Sequence, residues 1–258
     1  MRRLISGILL SAYFFSPSFA VAGGEISVPK GSYLPFFAFR NKDAKVDTRP
    51  PTEVAAFRID TYPITNSEFL EFVRANSEWR KSAVKRVFAD DHYLAQWPTN
   101  LSFAKGLAKS PVTSVSWFAA EAYCEWKGKS LPTTDQWEYA ASESGKDAEK
   151  MKEKILAWYE RPTKAKIPPV GSGSVNRFGI HDLFGLVWEW TLDFNGLIQS
   201  AEARESGSKD TNQFCGSGSL GALDPTDYAS FMRYSFRNSL KANFTVASLG
   251  FRCAREAP

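Results

Sequence analysis

The chain has 258 residues, 32 Lys and Arg against 28 Asp and Glu, a formal net charge of +4 and a hydrophobic fraction of 43%. Its length supports a sizeable core, and the near-balance of charge, without any block of like sign, argues against nucleic acid or an anionic membrane as partner. With two histidines and three cysteines, a histidine-rich zinc site and a Ser-His-Asp triad are disfavoured.

The chain opens like an export signal. Arg2 and Arg3 precede the apolar run "LISGILLSAYFF", and "SPSFAVAGG" offers small residues for cleavage after Ala20 or Ala22. Residues 1–22 are read as a signal peptide and residues 23–258 as one domain, which places the protein in the periplasm or outside the cell. An uncleaved anchor is the alternative, and no later stretch is apolar enough to span a membrane.

Next, "EISVPKGSYLPFFAF" alternates as a strand would, and "TEVAAFRIDTYPIT" reads as a strand pair ending at Pro63. Thr65 and Glu68 form a capping box for a helix carrying Phe69, Phe72 and Val73. Residues 77–110 lack any period and read as a long surface excursion, in which His92, Tyr93 and Trp97 are candidates for a binding rim. Ser116 caps a second helix with Trp117, Ala120, Tyr123 and Cys124, closed by Gly128. Thr133 and Gln136 form a second capping box, opening a helix with Trp137, Ala140 and Ala141.

Residues 142–172 read as a loop or short helix around "KILAWYERP", and from Ser174 onward glycines punctuate short strands and tight loops. Neither "GSGS" at 171–174 nor the glycines after Cys215 complete a phosphate-binding motif, so both read as turns. Aromatic residues make up 14% of the chain, eight of them tryptophan. They point to a core of large rings in a loop-rich fold or to an aromatic-lined binding surface. The fold class is α+β, in one domain with no internal repeat.

Four patterns occur in order: "FRIDTYPITNSEFLEFV", "PVTSVSWFAAEAYCEWKGKSLPTTDQWEYAA", "NRFGIHDLFGLVWEWTLDF" and "FMRYSFRNSLKANFTVASLGFRCAR". Together they resemble the formylglycine-generating enzyme or sulfatase-modifying factor family over roughly residues 25–255. The resemblance implies an elaborated C-type-lectin-like fold, low in regular secondary structure. Within the family, the match is nearest to an exported branch of accessory proteins associated with copper nitrite reductase.

Family members that make formylglycine hold copper between two cysteines, since Cu(I) favours soft thiolates. Counting back from "GFRC", the ungapped positions of that pair hold Asp224 and Ala229. Copper is therefore not expected, and the implied function is maturation or accessory work on a periplasmic client protein or peptide, by a monomer. The alternatives are an unconventional metal-dependent oxidoreductase using Cys215, the sole catalytic candidate, and a lectin-like ligand-binding protein. Arg233, Arg237, Asp224 and Tyr228 are the candidate groove residues, with a structural role open for both arginines.

The resemblance also implies a Cys124–Cys253 disulfide, with Cys215–Cys253 as its rival, and a calcium site. Calcium takes carboxylate and carbonyl oxygens, which Asp182, Gly185, Val187 and Glu189 would supply. The alternative for Glu189 is a buried carboxylate satisfied by backbone amides or by an arginine such as Arg252.

Overall fold

Strand and helix starts follow from local chemistry, and long-range pairs assemble them. The computed structural model describes residues 24–34, 51–142, 153, 155–158, 160, 166–194, 236–237 and 239–257. Strands β1 (Glu25–Val28), β4 (Phe57–Asp60) and β7 (Ala254–Glu256) form an antiparallel sheet in the order β1-β4-β7. Its register sets Ile26 opposite Ile59 and Ile59 opposite Ala254, so β4 carries the buried Phe57 and Ile59 along its middle. Strands β2 (Gly31–Tyr33) and β3 (Thr52–Val54) form a separate antiparallel pair. Two further strands, β5 (Trp188–Glu189) and β6 (Leu249–Gly250), pair in parallel.

The helices begin where the capping chemistry places them. Helix α1 (Asn66–Ala75) has a reciprocal capping box between Thr65 and Glu68. Helix α2 (Trp117–Trp126) starts at Ser116, whose hydroxyl accepts from the Ala119 amide, and Gly128 follows it at φ 69°. Helix α3 (Thr134–Ala141) carries the second capping box, Thr133 with Gln136. Each box satisfies amide donors that a helix start otherwise leaves unpaired.

Two apolar clusters share the interior. One gathers Phe69, Phe72, Tyr123, Leu131, Trp190 and Phe251 around α1 and α2. The other gathers Val28, Phe57, Ile59, Trp137, Ala140 and Ile180 between the three-stranded sheet and α3. Cys124 of α2 and Cys253, just before β7, form a disulfide across 129 residues of sequence. The rival Cys215–Cys253 pairing is thereby excluded.

The expectation of a surface excursion at 77–110 needs correction. Tyr93 and Trp97 are each only 2% exposed, and Leu94 is fully buried. The segment is a chain of turns after a 3-10 turn at Ser77–Trp79, and it folds back over α1. The Trp97 indole donates to Asn66 Oδ1 at 2.8 Å, while Asn66 Nδ2 donates to the carbonyls of Leu107, Ser110 and Pro111. One buried asparagine thus pins the middle and the far end of the segment to the first turn of α1. Tyr93 and Trp97 are core residues and do not form a binding rim, whereas His92 is exposed.

Candidate functional site: an aromatic groove over a buried ion pair

The end of "GLVWEWTLDF" builds one wall of a groove. Trp188 N–H donates to Ser248 O and Trp190 N–H to Gly250 O, which holds this strand against "SLGF". Gly250 is required there, because a Cβ at that position would lie 2.7 Å from the Val112 carbonyl. Strand alternation alone would put Trp188 and Trp190, two positions apart, on one side, but β5 ends at Glu189 and the two tryptophans diverge. Trp190 turns into the core and donates its indole N–H to Val115 O at 2.9 Å. Trp188 instead meets Trp158 and Phe236, with ring centroids 5.3 and 4.7 Å apart.

Helix α3 supplies the facing wall through Thr134, Trp137 and Glu138, and Phe194, Leu240 and Leu249 complete the apolar lining. The space is about 780 Å³ with its open mouth included, a size that accommodates a few side chains of a peptide or a small organic ligand. Thr134 is fixed by Asp193 Oδ1, which accepts from its amide at 2.6 Å and its hydroxyl at 2.8 Å. That contact anchors the start of α3 to the loop after β5. Arg237, named from the sequence, stands in this wall. Arg233, Asp224, Tyr228 and Cys215 lie outside the described residues.

Beneath the groove sits Glu189. Its Oε2 accepts from Arg252 Nε and from the Trp137 indole, both at 2.7 Å, and its Oε1 accepts from Arg252 Nη2 at 2.7 Å. Arg252 is fully buried, and its remaining donors reach the carbonyls of His181, Asp60 and Thr61. The arginine partner considered for Glu189 is therefore present. It ties the groove wall to the end of β4 and to the turn before Asp182.

Asp182 is also fully buried and adopts φ 59°. Its two carboxylate oxygens accept from the amides of Gly171 and Gly173 at 2.5 and 2.7 Å. The glycines of "GSGS" therefore do cradle an oxyanion, and the anion is the chain's own side chain. The four expected calcium donors present oxygen only, the chemistry calcium prefers. Val187 is 1% exposed, and no hydrogen bond to the carbonyls of Gly185 or Val187 is found among the described residues. A buried carbonyl without a partner is a place for water or a cation. Among the described residues, no three His, Cys, Asp or Glu side chains are grouped to hold a metal, so any cation here would depend on those carbonyls.

The sequence reading missed most of the groove. Trp158, Phe236, Leu240 and Thr134 come from separate segments, and no local spacing links them. Asn66 was missed too, since its role rests on partners about forty positions away. No helix among the described residues is long and apolar enough to cross a membrane.

Comparison with known proteins places these features in context. Residues 16–257 match a family model described as the sulfatase-modifying factor enzyme 1-like domain. The chain is 27% identical over 215 residues to serine/threonine-protein kinase pkn1 of Chlamydia pneumoniae, covering 78% of this chain and 33% of the kinase. The chain thus spans about a third of that relative's length. It is also 27% identical over 252 residues to the inactive C-alpha-formylglycine-generating enzyme 2 of Bos taurus, covering 79% of this chain and 78% of the relative. Among solved structures, PvdO from Pseudomonas aeruginosa aligns over 90% of this chain and 94% of its own, with 19% identity and a TM-score of 0.47.

Proposed function

The chain belongs to the sulfatase-modifying factor family, and from that premise we propose that it is an exported maturation or accessory factor. In this reading it binds a segment of a periplasmic client protein in the aromatic groove and does not perform copper-dependent formylglycine synthesis. Its fold is the α+β, lectin-like architecture of formylglycine-generating enzymes, with little regular secondary structure.

The observation that carries this reading is the state of the cysteines. The chain has three, and Cys124 and Cys253 are bonded to each other. Cys215 is the one thiol left, whereas linear Cu(I) binding of the family kind takes two thiolates. A groove walled by Trp158, Trp188 and Phe236 supports binding of a client segment, since aromatic walls give large contact area at little entropic cost. The relative from Bos taurus, named as inactive, is consistent with a family scaffold retained for binding.

Calcium is part of the proposal as a structural brace. Asp182 and the carbonyls of Gly185 and Val187 would hold it, with Glu189 contributing what Arg252 leaves of Oε1. The ion would fix the turn that leads into the groove wall.

Two measurements test the function. Protein supplied with Cu(I) and oxygen is expected to produce no aldehyde from a cysteine-containing sulfatase-motif peptide, and aldehyde formation would overturn the reading. A photo-crosslinker placed at Phe236 is expected to capture a defined periplasmic protein, with capture lost on adding Trp188→Ala. Crosslinking indifferent to Trp188 would remove the groove as the client site.

A further inference from the structure

A second cavity, of about 640 Å³ with its mouth included, lies where α1 begins and α2 ends. It shares no lining residue with the aromatic groove. Its chemistry comes from Tyr62, Glu68, Tyr123 and Lys127, with the Asp60–Lys129 ion pair at one side.

Tyr123 is 1% exposed. Among the described residues its hydroxyl makes no hydrogen bond, although it lines this cavity. The hydroxyl is reached through the cavity and is not sealed in the core, so a ligand atom can meet it there. The phenol remains a donor, because burial and then the charges of Glu68, Asp60 and Glu71 hold its pKa well above the ordinary value.

The charged groups with spare capacity are of both signs. Glu68 uses Oε2 for its capping contacts with Thr65, and its Oε1 accepts no hydrogen bond among the described residues. Lys127 has its ammonium over the Trp126 ring at 4.4 Å and forms no ion pair among the described residues. A simple anion would meet Glu68 and Asp60, and a simple cation would meet Lys127 and Lys129. A ligand carrying both charges satisfies both sides.

We propose that this cavity binds a small zwitterion, a free α-amino acid being the simplest, with its carboxylate on Lys127 and the Tyr123 hydroxyl and its ammonium on Glu68. The Tyr62 ring also lines the cavity, and aromatic faces attract cations.

Isothermal titration of the full chain with glycine, L-alanine and L-phenylalanine tests this, with acetate, methylamine and glucose as controls. At least one amino acid is expected to bind saturably below about 10 mM, a modest affinity for so few contacts. Acetate, methylamine and glucose are expected to bind at least about tenfold more weakly. Lys127→Ala, at an exposed position, and Glu68→Gln, which retains a capping acceptor, are each expected to weaken binding about tenfold, as is Tyr123→Phe, which removes only the hydroxyl. Unchanged thermal midpoints would confirm that Lys127→Ala and Glu68→Gln remain folded. The absence of saturable heat from every amino acid, a control that binds as tightly, or variants that bind like the wild type would each overturn the proposal.

Discussion

Arg252 holds Glu189 through two parallel hydrogen bonds, Nε to Oε2 and Nη2 to Oε1, each 2.7 Å, with both side chains wholly out of solvent. Removing one member of such a pair leaves the other charge buried without compensation, at a cost of about 3–5 kcal/mol. Glu189→Gln is therefore expected to lower the thermal midpoint by on the order of 10 °C for a domain of this size. The Trp137 indole also loses a charged acceptor, so tryptophan emission should shift in the still-folded variant. A midpoint within about 2 °C of the wild type would mean that the pair does not hold the groove wall.

Calcium should act on the neighbouring turn. Binding to the native state alone raises stability by about 2.7 kcal/mol when the free ion is about 100 times its dissociation constant. Thermal unfolding is therefore expected at higher temperature in calcium than in chelator, with the difference lost in Asp182→Ala. Identical midpoints in calcium and chelator would leave Arg252 as the cation that serves Glu189.

The disulfide closes a loop with a sequence separation of 129 residues, for which chain entropy gives a stabilisation of about 5 kcal/mol. Urea unfolding with and without reductant should show a loss of that order. Alkylation of the unreduced, denatured chain should label Cys215 alone. Label on Cys124 or Cys253 would contradict the pairing, and labelling of Cys215 in the native protein would report whether that thiol is accessible.

An ionic chain across the three-stranded sheet predicts opposite pH limbs. Lys129 Nζ lies 2.5 Å from Asp60 Oδ1 and 3.0 Å from Glu25 Oε1, and Arg255 Nη2 lies 2.5 Å from Glu25 Oε2. Burial alone would lower the lysine's pKa, but Asp60 and Glu25 carry it above the ordinary 10.5. Its contribution is thus fully present below 10.5 and is lost as pH rises through the higher folded value. For Glu25, burial acts upward, yet the hydrogen bonds and charges of Arg255 and Lys129 bring the carboxyl below its ordinary 4.5. That contribution is present above 4.5 and disappears as pH falls through the lower folded value. Asp60 runs against Glu25, because burial outweighs its partners and lifts its pKa above 3.8.

Urea unfolding across pH should therefore show the stability gap between wild type and Glu25→Gln closing in acid, and that between wild type and Lys129→Met closing in alkali. A Glu25 gap that stays unchanged as pH falls well below 4.5 would refute the acid half.

Elements governed by neighbours three or four positions apart were legible in the sequence. Thr65 with Glu68 and Thr133 with Gln136 start their helices as read, because a capping box is complete within four residues. The turns holding Tyr93 and Trp97 were read as surface, since an irregular backbone gives burial no period to display. The groove was least legible: Trp158, Trp188 and Phe236 meet only after β5 and β6 pair across about sixty residues. Resemblance to a family supplied Arg237, and local pattern would not have found it.

The amides of Gly171 and Gly173 have a geometry that elsewhere receives phosphate. Here Asp182 fills it as a tethered plug, and an incoming anion would have to displace a competitor attached to the same chain. The loop therefore works as a latch. By fixing Asp182 in the left-handed region, it sets the heading on which the chain enters Leu183 through Trp190. A Cβ at Gly173 would fall 2.5 Å from Asp182 Oδ1, forcing the latch open. The groove is thus aimed from outside itself, and a substitution that touches none of its rings can turn its wall.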